Sequence, residues 1–95
     1  MPYIPKEDRT PLHPELEEVA KRVETDGQFN YALTYLARAF VGRRGGGYAA
    51  HAAALAGLEC AKLEHYRTRT APLEDLKRRQ NGDVLAIGDT TAGGW

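Results

Sequence analysis

The sequence predicts an all-α protein, a small bundle of three to four helices with an extended Pro-rich N-terminal arm and a flexible C-terminal tail. Three observations predict it. Apolar residues recur at helical intervals in three separate stretches, no stretch alternates with the period of two that a strand needs, and prolines and glycines gather between the periodic stretches. The 95 residues are enough for one domain, read over 1–87, with 88–95 as the tail.

Residues 1–13 read as the arm, because Pro2, Pro5 and Pro11 precede the helix-initiating Pro14 and disfavour helix before themselves. Tyr3 and Ile4 are its candidate anchors, on this chain or on a neighbour. Pro14 suits the first turn of a helix over about 14–24, and Glu15, Glu17 and Glu18 favour its positive end. Leu16, Val19, Ala20 and Val23 then repeat at i, i+3, i+4 and i+7. Thr25 with Gln28 forms a capping-box pattern that opens a helix over about 26–41, closed by Gly42. Its core face carries Phe29, Leu33, Leu36, Ala37 and Phe40, while Tyr31, Tyr35 and Arg38 form a second line at i, i+4, i+7.

A Gly-rich connection, Gly42–Gly47, carries Arg43 and Arg44. The longest helix follows over about 48–69, and the two main helices are expected to pair antiparallel across the connection. On the longest helix Tyr48, Ala52, Leu55, Leu58, Lys62, Leu63 and Tyr66 fall on one broad arc, and Glu59 lies among them. Burying an unpaired charge there is costly, so Glu59 and Lys62 either pair with each other or face a partner chain or a polar ligand. Pro72 is expected to break the run at Thr70–Pro72 and start a last helix over about 72–80, stopped by Asn81-Gly82. Val84, Leu85 and Ile87 are candidates to pack back on the bundle.

Composition narrows the function. Thirteen basic and thirteen acidic residues cancel, which argues against general nucleic-acid binding. A single cysteine, Cys60, excludes an intramolecular disulfide and fits a reducing cytoplasm; it reads as a buried structural thiol. No run reaches the ~18 apolar residues of a membrane span. The hydrophobic 42% is rich in alanine and poor in bulky side chains, so a homo-oligomer is expected to complete the core.

No catalytic or metal constellation emerges, and neither a cofactor nor enzymatic activity is expected. Glu15 and Glu18 form one E-x-x-E pair of the kind that all-α nucleoside triphosphate pyrophosphohydrolases use for magnesium. The second pair is missing, because Glu59 and Glu64 lie about 140° apart round their helix. His13, His51 and His65 have no zinc-ligand spacing, and Cys60 points away from His65. The glycine loop lacks the Lys-Ser/Thr ending of a P-loop, though Arg43 and Arg44 could meet a phosphate. What remains is two aromatic and cationic lines, Tyr31, Tyr35 and Arg38 on one helix and Lys62, Tyr66 and Arg69 on another. Tyrosine can stack a nucleobase while Lys or Arg meets phosphate. Tyrosines that line a helix interface with their hydroxyls at its rim account for the same residues.

Several pieces together resemble a family of short, functionally uncharacterised phage and bacterial proteins. They are Met1-Pro2-Tyr3-Ile4-Pro5, Asn30-Tyr31-Ala32, Leu58-Glu59-Cys60-Ala61-Lys62-Leu63-Glu64 with Tyr66-Arg67, Ala71-Pro72 with Glu74-Asp75, and Asn81-Gly82-Asp83-Val84. The resemblance implies a phage or bacterial origin, and hence the cytoplasm of a bacterial host. Phage anti-CBASS and anti-Thoeris sponges are similar in size and use inter-subunit pockets of aromatic and cationic groups, though they share no motif with this chain. The leading expectation is therefore sequestration of a cyclic or other nucleotide signal in a pocket of a homo-oligomer. Binding of a host or phage protein is the alternative. A metal-dependent nucleotide hydrolase whose site is shared between subunits is the third.

Overall fold

The structure, a computed structural model, describes residues 1–85. All its regular elements are helical: α1 (Lys6–Arg9), α2 (His13–Arg22), α3 (Asp26–Arg43), α4 (Tyr48–His65), one π-helical turn (Tyr66–Thr70) and α5 (Ala71–Asn81). No strand occurs among the described residues. Ile87 and the tail 88–95 lie outside them.

The arm is extended only as far as Pro5. Five residues separate Pro5 from Pro11, enough for one helical turn, with Glu7 and Asp8 at its positive end and Arg9 in its last turn. Arg9 Nε donates to the Ile4 carbonyl at 2.7 Å, and the Thr10 hydroxyl donates to the Lys6 carbonyl at 3.0 Å. Both bonds are local to the arm.

Helix α2 has Pro14 in its first turn, and α3 opens on the expected capping box. The Gln28 N–H donates to Thr25 Oγ1 at 3.1 Å, while Gln28 Oε1 accepts from the Thr25 N–H at 3.1 Å and the Glu24 N–H at 2.8 Å. Three otherwise orphaned donors are thereby satisfied. Helix α3 runs through Gly42 rather than stopping at it. Its end falls at Arg43, where Gly45 and Gly46 take positive φ of 89° and 74° and the Gly46 N–H reaches back to the Val41 carbonyl at 3.0 Å. A glycine inside the last turn costs little; the positive-φ positions decide where the chain turns.

The interruption expected at Thr70–Pro72 is instead a widened turn. Pro72 has no N–H to donate and would crowd a regular α-turn. The chain opens by one residue over Tyr66–Thr70, so the Ala71 N–H bonds the Tyr66 carbonyl five residues back, and α5 continues at once with Pro72 in its first turn. The Thr68 hydroxyl donates to the Glu64 carbonyl at 2.7 Å inside this region. Helix α5 ends at Gly82, with φ 87° and ψ 157°.

The contacts gather in two units, Met1–Ala61 and Lys62–Trp95, with the division inside α4. In the first unit helices do not close on one another. Ala50 is the only buried residue among the described ones. The expected core face of α3 is open, with Phe29, Leu36, Leu33 and Phe40 all exposed, and so are Leu16 and Val19 of α2. Cys60 is exposed too, where a buried thiol was expected, because no element packs over it. Burying one Leu, Val or Phe side chain contributes about 1.5–3 kcal/mol, so the isolated chain leaves most of that stabilisation unrealised.

Candidate functional site

The first unit presents two grooves along α3. One opens between α2 and α3, with a volume of about 670 Å³. Leu12, Leu16, Val19 and Val23 supply its α2 wall, and Tyr31, Ala32, Tyr35 and Leu36 its α3 wall. These residues share a groove for a simple reason. On α2 they follow spacings of four, three and four, which keeps them on one stripe, and on α3 they follow 31, 32, 35 and 36. Glu15 and Arg22 border the same groove and have no ion-pair partner among the described residues.

The other groove, about 490 Å³, lies between α3 and α4 and is lined by Ala37, Arg38 and Val41 on one side and Ala54, Leu55 and Leu58 on the other. It runs between the two main helices that the sequence is expected to pair antiparallel across the glycine loop.

The first aromatic and cationic line is brought together as the sequence implied. Tyr31, Thr34, Tyr35, Arg38 and Ala39 line a recess of about 520 Å³ on α3. The two tyrosine rings stand 6.2 Å apart between centroids and are tilted by 40°. At that distance they touch each other, so a planar base would stack on the outer face of one ring rather than between them.

The second line is arranged differently. Lys62 lies in the last turn of α4, Tyr66 opens the π turn and Arg69 lies within it, all in the second unit. The Tyr66 hydroxyl is engaged as donor to Glu74 Oε1. That bond and the negative charge of Glu74 raise the Tyr66 pKa above its ordinary value, with slight help from desolvation and Asp75. Arg67 grips both carboxylate oxygens of Glu64, at 2.8 and 3.1 Å. Of the two candidate phosphate contacts, Arg43 ends α3, and Arg44 stacks over the Phe40 ring with its guanidinium carbon 4.4 Å from the centroid.

Sequence reasoning passed over Leu12, Glu15 and Arg22 as site residues. A signal for them exists, because Leu12 extends the α2 stripe by one heptad position and Glu15 and Arg22 are seven residues apart on its flank. Among the described residues no three His, Cys, Asp or Glu side chains converge as metal ligands, and no helix is long and apolar enough to cross a membrane.

No curated protein and no solved structure matches the chain. A family model does, over residues 1–84. The chain therefore belongs to the family described as Domain of unknown function (DUF6899).

Proposed function

We infer that this protein is a non-enzymatic helical interaction protein whose working form is a homo-oligomer. The observation that supports the reading is the apolar groove between α2 and α3, whose Leu12, Leu16, Val19 and Leu36 are each about half exposed in the single chain. Contiguous apolar surface of this kind marks association. In a phage or its bacterial host, the partners beyond the chain's own copies would be host or phage proteins, bound in the cytoplasm. Sedimentation equilibrium at micromolar concentration tests the reading. The expected mass is a multiple of 10.5 kDa, with little uptake of an apolar fluorescent dye. A stable 10.5 kDa monomer that melts cooperatively and takes up no dye would overturn it.

One specific observation favours a second reading, sequestration of a nucleotide. Tyr31, Tyr35 and Arg38 share one recess, with a stacking surface and a cation together. Lys62, Tyr66 and Arg69 remain residues to test with them. Thermal melting against linear and cyclic nucleotides separates the two readings. A ligand at ~100 times its dissociation constant adds about 2.7 kcal/mol. A selective shift by one nucleotide, lost in Tyr35→Ala and Arg38→Ala and with the compound recovered intact, would establish sequestration. No shift across the panel would exclude it.

A further inference from the structure

We propose that the groove between α2 and α3 is filled by α2 of a second copy of this chain, lying antiparallel to the first about a two-fold axis. The proposal rests on the homo-oligomer reading above and specifies which surface mates with which.

Two independent features select this occupant. The first is area. Leu12, Leu16, Val19, Tyr31, Tyr35 and Leu36 are between 47% and 69% exposed. As walls of one groove they offer a facing helix a continuous apolar strip, the kind of surface that forms the centre of a standard interface of ~800 Å² per partner. A groove of about 670 Å³ also has room for the apolar side chains of one facing helix.

The second feature is charge and size complementarity of α2 with itself. Leu12, Leu16, Val19 and Val23 occupy alternating heptad core positions, and Glu15 and Arg22 occupy the same flanking position in successive heptads. Place two such stripes antiparallel about a point between Glu17 and Glu18. Each leucine then meets a valine, Leu12 against the partner's Val23 and Leu16 against the partner's Val19. Large residues face small ones, the arrangement that fills a helix interface evenly. The same operation brings Glu15 of each copy beside the partner's Arg22, twice by symmetry. A parallel alignment fails on both counts: leucine meets leucine, valine meets valine, and Glu15 faces the partner's Ala20. Within one chain neither Glu15 nor Arg22 has a charge partner among the described residues, so the pairing competes with nothing. Two α2–α3 pairs joined this way give a four-helix arrangement in which Tyr31 and Tyr35 border the seam.

Charge reversal and cross-linking test the proposal in the full-length protein. Glu15→Arg or Arg22→Glu alone puts like charges together at two symmetric places and should weaken self-association at least about tenfold. The double variant Glu15→Arg/Arg22→Glu should recover most of that loss, which a merely misfolded chain would not. On a Cys60→Ser background, a mixture of Leu12→Cys and Val23→Cys chains should form a mixed disulfide dimer on oxidation, while each variant alone should not. If the protein is oligomeric but indifferent to both reversals, or Leu12→Cys cross-links to itself, the antiparallel α2 seam is wrong and the homo-oligomer reading survives. If the native protein is a monomer, both fall together.

Discussion

Tyr66 is the residue whose chemistry is most altered by its surroundings. Its hydroxyl serves Glu74 across the π turn, and the raised pKa means that folding favours the neutral phenol. The bond therefore contributes fully below the ordinary tyrosine pKa near 10 and is lost as pH rises through the raised folded value. Spectrophotometric titration should find the last tyrosine of Glu74→Gln ionising at lower pH than the last tyrosine of the wild type. Identical curves would mean that Glu74 does not hold Tyr66. Thr25 gives a second test at this scale. Its side chain caps α3, and Thr25→Ala should cost about 1 kcal/mol. For a chain of this length that corresponds to a fall of about 4–8 °C in Tm at fixed protein concentration. The cap was legible because both of its partners lie within three residues of each other. Arg44 was not: its stacking on Phe40 depends on how the chain leaves α3, which the spacing of glycines alone does not determine.

The same contrast holds for elements. Helices α2, α3 and α4 follow from apolar periodicity, which acts within a few turns. The one-turn helix α1 and the π turn were missed because each is a local compromise. Prolines on either side leave α1 just enough room, and Pro72 is absorbed by widening the helix rather than ending it. Gly82 stops α5 in a backbone region, φ 87° and ψ 157°, that side chains with a Cβ strongly resist. Gly82→Ala should cost ~1–3 kcal/mol and unwind the last turn. Hydrogen exchange should register faster loss of protection at the amides before Asn81, and unchanged protection there would show that the turn has another stop. The helix faces were legible as apolar stripes, but their partners were not. Periodicity says which face wants burial and is silent on whether the same chain supplies the cover.

For the molecule as a whole, the near absence of a buried core among the described residues is the dominant energetic fact. A helical chain whose described leucines and phenylalanines stay exposed has little to set against the conformational entropy of folding. On the proposed reading, association would supply the missing burial and make stability depend on concentration. Raising protein concentration a hundredfold should therefore raise Tm measurably, whereas an invariant Tm would point to a core complete within one chain. Leu16→Glu, at the middle of the α2 stripe, should abolish self-association and leave a chain with weak, uncooperative melting. An oligomer that persists in this variant would move the interface to the α3–α4 groove.

The most direct test of the central claim is the mass of the native protein by sedimentation equilibrium across a concentration series. The account predicts a reversible oligomer, with a mass that climbs toward a multiple of 10.5 kDa as concentration rises. A single 10.5 kDa species at every concentration, folded and stable, would contradict it.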